Sequence, residues 1–234
     1  MRFIVLESPK EIGKEVSKEF ISLLKKKPNA IFGLATGSTP LPLYEALKEE
    51  YQNKEITFKE AKSFNLDEYI KAPKEKDTYR YFMQTNLFDG VDFPKGSNHF
   101  PSEENMLSYD EEIEKAGGLD LQILGIGRDG HIGFNEPNTP FDSKTHIAIL
   151  TDDTREANAR FFSGKDETPK SAVTMGLKTI CEARHIILLA TDLSKIEAVR
   201  SLKNGVLDEA WPCTCLLNHP NVDVYLTKEL FAKI

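Results

Sequence analysis

The stretch "LDLQILGIGRDGHIGF", residues 119–134, passes from a continuous apolar run into a glycine-rich turn. Three of its glycines satisfy the G-x-G-x-x-G pattern of dinucleotide-binding turns: Gly125, Gly127 and Gly130. That pattern binds a dinucleotide only where a helix follows it directly. The residues that follow read "HIGFNEPNTP", and their two prolines and further glycine exclude a regular helix. The stretch therefore predicts a buried strand and a tight turn, without a nicotinamide or flavin site.

Outward from this strand, short apolar runs alternate with amphipathic stretches along the whole chain. The amphipathic stretches include "SPKEIGKEVSKEFISLLKK", in which apolar residues recur at helical spacing. Strands that are apolar throughout and alternate with helices indicate a mainly parallel sheet covered on both faces. We therefore predict an α/β fold in a single domain, residues 1–234. The predicted strands are residues 2–6, 30–35, 61–66, 119–127, 145–150, 185–190 and 222–226.

Composition excludes several classes of protein. The chain has 234 residues, a net charge of −7 and three cysteines. The acidic balance argues against a nucleic-acid partner, and an odd number of cysteines does not indicate a disulfide framework. The apolar run in "MRFIVLESPK" is too short for a signal peptide, and no stretch approaches the roughly 18 apolar residues of a membrane helix. We expect a cytoplasmic protein with reduced thiols and no membrane partner.

Polar segments follow four of the predicted strands: "TGSTP", "DEY", "RDGHIGFNEP" and "TDLSK". In open parallel sheets, ligands bind beyond the carboxyl ends of the strands. The four segments are therefore expected to form one site.

The first segment is a candidate phosphate-binding loop. Gly37 lets backbone amides approach a ligand closely, and the hydroxyl groups of Thr36, Ser38 and Thr39 add donors. The amino end of the following helix favours an anion. The alternative is a simple helix N-cap by one of these hydroxyl groups.

The turn after residue 127 places His131 between two carboxylates, Asp129 and Glu136. A carboxylate beside imidazole fixes its tautomer and leaves the other ring nitrogen for substrate, which is typical of acid–base catalysis. The same trio is also a weak match to a metal site.

The segment "DEY" offers Asp67 and Glu68 at the end of a buried strand. Adjacent residues of a strand point to opposite sides, and we expect Asp67, the first after the apolar run, to face the site. Partial desolvation raises the pKa of a carboxylate and suits it to act as a base. The alternative is that Asp67 caps a helix.

Two cations are candidates to complete the phosphate site. Arg160 lies in "DDTREANARFF", and Lys195 lies in the first turn of a predicted helix. A cation at that end opposes the helix dipole, a cost that a bound anion removes.

Together these segments resemble the glucosamine/galactosamine-6-phosphate isomerase family. The resemblance runs nearly end to end and rests on "GLATGSTP", "SFNLDEY", "GIGRDGHIGFNEP", "DDTREANARFF" and "CTCLLNHP", of which "DGHIGFNEP" is the most specific. It implies a Rossmann-like three-layer α/β/α sandwich. It also implies conversion of glucosamine 6-phosphate and water to fructose 6-phosphate and ammonia, with no metal or organic cofactor.

The resemblance also implies roles for the candidate residues. His131, oriented by Asp129 and Glu136, would open the sugar ring, and Asp67 would move the C2 proton. The phosphate would be held by Thr36, Gly37, Ser38, Thr39, Arg160 and Lys195.

The sequence departs from the family at one place. Longer members are hexamers activated by N-acetylglucosamine 6-phosphate through basic residues after "FNEP". Here His146 and Ala148 stand where those members carry Arg and Lys, and the chain ends at Ile234 without their extended segment. We expect an unregulated enzyme, monomeric or a small homo-oligomer.

Two other functions are open. A 6-phosphogluconolactonase shares the Gly-Asp-Gly-His turn but lacks "FNEP" and needs no base at C2. A non-catalytic sugar-phosphate sensor would be expected to lose the acid–base residues. Asp67 and Glu136 favour the deaminating enzyme over both.

Overall fold

The structure, a computed structural model, describes residues 1–159, 162 and 164–234. Its main sheet has seven strands, all parallel, in the spatial order β1-β10-β9-β6-β2-β3-β5. These strands are β1 (Arg2–Leu6), β2 (Ile31–Leu34), β3 (Lys62–Asn65), β5 (Asn98–His99), β6 (Leu121–Leu124), β9 (Ile186–Ala190) and β10 (Val222–Thr227). Chain order reverses direction between β2 and β6, which leaves a crevice at that point of the sheet.

Helices cover both faces of the main sheet. One core joins it to α1 (Pro9–Lys26), α2 (Leu41–Gln52) and α3 (Tyr79–Asn86). The core on the other face includes residues of α4 (Met106–Ala116), α6 (Leu177–Cys181), α7 (Ile196–Asn204) and α8 (Lys228–Phe231). The three-layer α/β/α architecture and the mainly parallel sheet that the sequence predicts are confirmed.

Alternate residues of an apolar strand face opposite sides of the main sheet and so belong to different cores. In β9, Ile187 and Leu189 belong to the core against α1 and α2, whereas Ile186 and Leu188 belong to the opposite one. A strand that is apolar at every position is therefore buried on both faces. Helix α1 begins as expected, because Ser8 accepts a hydrogen bond from the N–H of Glu11.

A second, antiparallel sheet lies beside the site, in the order β4-β8-β7. Its strands are β4 (Asp67–Tyr69), β8 (Ser171–Thr174) and β7 (His146–Ile149). The predicted strand 145–150 belongs here, and its place in the parallel sheet was a wrong expectation. The reason is visible in its burial: Ala148 is buried but Ile149 is 73% exposed, as suits an edge strand with one covered face.

The two sheets meet at Leu66. Its N–H donates to Leu34 on β2, and its carbonyl accepts from Met175, just beyond β8. Asp67 follows at once and pairs with Thr174 in the second sheet. The chain therefore turns from one sheet into the other at the residue that the sequence predicts as the base. Among the described residues, no helix is long and apolar enough to cross a membrane.

Candidate active site

The polar segments expected to converge follow four neighbouring strands. β9, β6, β2 and β3 are consecutive in the main sheet, and all run parallel. Their carboxyl ends therefore lie at one edge, on both sides of the crevice between β2 and β6. The glycine-rich turn after β6 is not followed by a helix anywhere in residues 125–145, as the prolines and the glycine there predict.

A cavity of about 290 Å³ lies at this edge. Six of the predicted site residues line it: Thr36, Gly37, Ser38, Thr39, Asp67 and His131. Further lining residues are Tyr69, Lys76, Asp77, Thr78, Tyr79, Phe82, Phe134, Asn158 and Phe162. Arg160 lies outside the described residues. Lys195 is the last residue of a short 3-10 helix, Leu193–Lys195, that follows β9, and it is also the N-cap residue of α7. It is not among the described residues that line the cavity.

The loop from Thr36 to Thr39 presents backbone to the cavity. Gly37 has φ of +90°, a conformation that favours glycine because other residues have a Cβ atom. Helix α2 then begins after Pro40, with no side-chain capping hydrogen bond. The N-cap residue of α2 is thus Pro40 and not one of the three hydroxyl-bearing residues of the loop.

Asp67 is a buried carboxylate in the wall of the cavity. The residue is only 6% exposed, although it lines the cavity. Within the part of the chain that the structure describes, no hydrogen bond or ion pair offsets the cost of burying its charge. Burial, and secondarily the charge of Glu68, raises the pKa of Asp67 to about 8. A large fraction of the side chain is therefore protonated at neutral pH in the ligand-free protein.

Glu68 is not among the described residues that line the cavity. It caps a helix, the role that the sequence offered as the alternative for Asp67. Its carboxylate accepts hydrogen bonds from the N–H groups of Tyr69, Tyr79 and Arg80, at 2.9, 2.8 and 2.8 Å. The last two are the first residues of α3. Burial raises the pKa of Glu68, and these three hydrogen bonds oppose the rise.

Through these hydrogen bonds Glu68 fixes the position of the start of α3. The segment that leads into α3 forms one wall of the cavity. Residues 76–79 of this segment line the cavity. The Tyr79 hydroxyl lies 3.1 Å from that of Tyr69 and also forms a hydrogen bond with Thr36 of the phosphate-binding candidate loop. These contacts join residues 76–79 to that loop as parts of one cavity wall.

His131 faces two carboxylates through one nitrogen. Its Nδ1 lies 2.7 Å from Oδ1 of Asp129 and 4.0 Å from Oε2 of Glu136. The first distance is short enough for a hydrogen bond. The two groups are poorly aligned, however, so that Nδ1 has no hydrogen-bond partner with acceptable geometry. Loose alignment is common in ligand-free sites. A proton on Nδ1 leaves Nε2 as the nitrogen available to a substrate.

The charge of Asp129 is stabilised where that of Asp67 is not. Burial alone would raise the pKa of Asp129, but the hydrogen bond and charge of His131 bring it down to about 2. Asp129 also accepts a hydrogen bond from the backbone N–H of His131, at 3.2 Å. Glu136 in turn accepts two hydrogen bonds from Thr151, the N-cap residue of helix α5 (Asp152–Asn158).

Close packing fixes the turn that carries His131. A Cβ atom at Gly127 would come within 2.3 Å of the His131 ring, so only glycine fits there. Gly133 has φ of +59°, and a Cβ atom there would lie 2.7 Å from Oγ1 of Thr174. The same oxygen accepts a hydrogen bond from the N–H of Phe134. Thr174 thus ties the His131 turn to Asp67, its partner across β4 and β8.

The trio of Asp129, His131 and Glu136 also has the donor types of a metal site, with its ligand atoms within 4.8 Å of one another. Two ligands of one zinc ion, each at about 2.0–2.2 Å, lie roughly 3 Å or more apart. The 2.7 Å contact between Asp129 and His131 is shorter and fits a carboxylate–imidazole pair better.

Comparison with known proteins places this site in a family. The profile of the family described as glucosamine-6-phosphate isomerases/6-phosphogluconolactonase matches residues 7–225. The chain belongs to this family. Its relatives include proteins named glucosamine-6-phosphate deaminase from Malacoplasma penetrans, 46% identical over 96% of this chain and 97% of the relative, and from Thermoanaerobacter pseudethanolicus, 44% identical over 98% and 93%.

Solved structures of the family superpose closely on this one. A structure described as a monomeric glucosamine-6-phosphate deaminase matches with a TM-score of 0.97 and 35% identity over the whole of both chains. A 6-phosphogluconolactonase from Trypanosoma cruzi matches with a TM-score of 0.78 over 100% of this chain and 96% of its own, but is only 21% identical. The second likeness concerns the fold alone.

Sequence reasoning missed three residues that shape the site. Glu68 was the residue passed over for Asp67, and its capping role depends on α3 arriving beside it from 11 positions along the chain. Thr174 lies on β8, which the apolar pattern did not reveal. Tyr79 is the first residue of α3 and lines the cavity, a position that depends on how α3 packs and not on a local pattern.

Proposed function

We propose that this protein is a glucosamine-6-phosphate deaminase, which converts glucosamine 6-phosphate and water to fructose 6-phosphate and ammonia. One observation carries the proposal: an unpaired, buried Asp67 shares a cavity with a histidine that has two carboxylates behind it. The first group suits removal of a proton from carbon, and the second suits proton transfer between oxygens.

His131 acts first in the proposed sequence. Its Nε2 moves the proton between the ring oxygen and the C1 hydroxyl, so that the pyranose opens to the aldehyde. Asp129 and Glu136 stabilise the positive charge that develops on the ring. Asp129 holds the tautomer, because its carboxylate lies against Nδ1.

Asp67 then moves a proton between two carbons. Its carboxylate removes the proton from C2, which gives an enolamine, and the protonated Asp67 returns a proton to C1. The product is an imine at C2. Water adds to that carbon, and ammonia leaves with formation of the ketone. A base of pKa about 8 retains more proton affinity than an ordinary carboxylate, which suits a weak carbon acid.

The loop of Thr36 to Thr39 is the proposed anchor for the substrate's phosphate, with Arg160 and Lys195. The support is the exposed backbone at Gly37 and the position of the loop in the wall shared with Asp67. Holding the phosphate fixes C2 over the carboxylate, and displacement by about 1 Å can cost roughly 100-fold in rate.

A lactonase is the nearest rival, since the family description names both activities. Lactone hydrolysis requires no base at C2. The burial of Asp67 and the position of Glu136 beside His131 favour the deaminase over a lactonase and over a sensor that only binds sugar phosphates.

We further propose an unregulated enzyme, monomeric or a small homo-oligomer, that acts in the cytoplasm, where charged sugar phosphates are retained. His146 and Ala148 support the first point, because neither offers the fixed positive charge that an effector phosphate requires. The expected rate curve is hyperbolic and unchanged by N-acetylglucosamine 6-phosphate. A sigmoidal curve that this compound makes hyperbolic would contradict the proposal.

The deciding experiment is ammonia release from glucosamine 6-phosphate, with and without a chelator, and with 6-phosphogluconolactone as a second substrate. We expect ammonia at the same rate in both conditions and no lactone hydrolysis. Hydrolysis of the lactone without ammonia would support the lactonase, and a folded protein inactive on both would support the sensor.

A further inference from the structure

Two of the three cysteines lie in contact on the side of the main sheet that carries α6. The Sγ atoms of Cys181 and Cys215 are 3.4 Å apart. Cys181 is the last residue of α6, and Cys215 lies in a 3-10 helix, Pro212–Asn218. They are 34 positions apart in the chain, so the fold brings them together.

Cys181 differs in reactivity from the other two cysteines, because the contact with Cys181 and burial raise the pKa of Cys215 well above its ordinary value. Cys181 is partly exposed, whereas Cys215 is buried. The hydrogen bond between the two sulfurs lowers the pKa of the Cys181 thiol and outweighs the effect of burial. Burial raises the pKa of Cys213 to about 11. Thiolate is the form that reacts with oxidants, so Cys181 is the site of first attack.

We propose that Cys181 and Cys215 form a reversible disulfide when a hydroperoxide oxidises the protein. The Cys181 thiolate attacks the peroxide O–O bond, which yields a sulfenic acid at Cys181 and water after protonation. The Cys215 sulfur then displaces hydroxide from the Cys181 sulfur and loses its proton, so that a second water forms. Two thiols and one hydrogen peroxide thus give one disulfide and two waters, and a dithiol reverses the change.

The bond would also reach the candidate active site. The 3-10 helix that holds Cys215 also supports the His131 turn, because the N–H of Cys213 donates to the carbonyl of Gly130 at 2.8 Å. Gly130 lies between Asp129 and His131, and a Cβ atom there would come within 3.2 Å of the Cys213 sulfur. The contact leaves little room for independent movement.

Disulfide formation shortens the distance between the two sulfurs from 3.4 Å to about 2.05 Å. The 3-10 helix, α6 or both must shift to allow this. A shift of the 3-10 helix changes the support of Gly130 and hence the alignment of His131 with Asp129. The expected effect is on proton transfer, and therefore on kcat more than on KM. This second consequence rests on the proposed deaminase function.

The test counts thiols and measures rate on the same samples. Protein treated with one equivalent of hydrogen peroxide is unfolded and alkylated, before and after dithiothreitol. Reduced wild type should take up alkyl groups at all three cysteines, and oxidised wild type at Cys213 alone. Ammonia release should fall about tenfold in kcat on oxidation and return with dithiothreitol.

Cys181→Ser is the matched control, because the position is partly exposed and the change replaces only the sulfur atom with oxygen. This variant should keep the wild-type rate before and after peroxide, with two alkylated cysteines in both samples. Its melting temperature, compared with wild type, shows that it is folded.

Three results would overturn the inference in distinguishable ways. Three alkylated cysteines in peroxide-treated wild type, or a disulfide between chains, would contradict the pairing. A Cys181–Cys215 disulfide with unchanged kcat would contradict the coupling to His131. Absence of ammonia release before oxidation would contradict the proposed function, while the thiol count would still test the pairing.

Discussion

Two aspartates that follow strands of the main sheet, Asp67 and Asp129, have pKa values shifted in opposite directions. After β3, Asp67 is buried in the cavity wall, and burial raises its pKa to about 8. After β6, Asp129 is also partly buried, but His131 lies against it and its pKa falls to about 2. Both residues are aspartates, and both follow strands of the main sheet at the same edge.

The difference shows that the partner, and not burial alone, sets the chemistry of each carboxylate. A charge without a partner becomes a proton acceptor of moderate strength, whereas a paired charge stays ionised and orients its partner. One strand end therefore supplies a base, and the other a fixed negative charge behind a histidine.

The largest expected effect comes from Asp67→Asn. An amide of the same shape cannot accept the C2 proton, so kcat for ammonia release should fall by about a thousandfold or more. Asp89→Asn, at an exposed position in a short 3-10 helix, is the control and should keep the wild-type rate. Substantial activity in a folded Asp67→Asn protein would show that the base lies elsewhere.

Asp129→Asn should cost less, about a hundredfold in kcat. The amide can still contact Nδ1, but it no longer stabilises positive charge on the imidazole. Opening of the sugar ring is the step affected, so substrate supplied as the open-chain aldehyde analogue should recover part of the rate. A loss as large as that of Asp67→Asn, without recovery, would remove the distinction between the two carboxylates.

Stability should change in opposite directions in the same two variants. A pKa raised by folding contributes stability that is present below the unfolded value, near 4, and lost as pH rises through about 8. Asp67→Asn should therefore become more stable than wild type as pH rises from 4 to 8, by at most about 1.4 kcal/mol per pH unit.

For Asp129 the sign is reversed, because folding lowers its pKa to about 2. Its contribution is present above the unfolded value and is lost as pH falls through about 2. Asp129→Asn should be less stable than wild type at pH 7 and no longer so at pH 2. Urea unfolding at pH 4, 6 and 8 measures the free energy of unfolding of Asp67→Asn and of wild type. If the difference between the two does not grow with pH, the raised pKa of Asp67 is contradicted.

The smallest effect belongs to Glu68→Gln. Loss of its charge removes the second cause of the raised pKa of Asp67, so that pKa should fall. Glutamine retains one acceptor oxygen for the N–H groups of α3, so kcat should fall only a few-fold. Glu111→Gln, at an exposed position of α4, is the control. An unchanged pKa of Asp67 would show that Glu68 acts only on the cavity wall.

The sequence predicts much of this comparison because strand ends are a property of local pattern. Continuous apolar runs identify six of the seven parallel strands, all but the two-residue β5 at the edge of the sheet. Polar residues directly after them identify the edge where Asp67 and His131 meet. The pattern does not reveal β4 or β8, since three or four residues in a small antiparallel sheet carry little periodicity. For the same reason the place of β7 in the second sheet was missed.

Partners distant in sequence were beyond prediction. That Glu68 holds the start of α3, and that Thr174 links the His131 turn to β4, depends on how separate segments pack. Residue type alone left Asp67 open as a helix cap or a base. Only its surroundings in the folded chain, which lack a compensating partner among the described residues, distinguish the two.

The most direct test is a carbon-13 NMR titration of the protein labelled at its aspartate carboxyl groups, compared with Asp67→Asn and Asp129→Asn. We expect one aspartate resonance to titrate near pH 8 and to be missing from the first variant. Another should belong to a carboxylate that stays ionised down to about pH 2, and it should be missing from the second variant. If the resonance missing from Asp67→Asn titrates near 4, as an ordinary exposed aspartate does, the central claim is wrong.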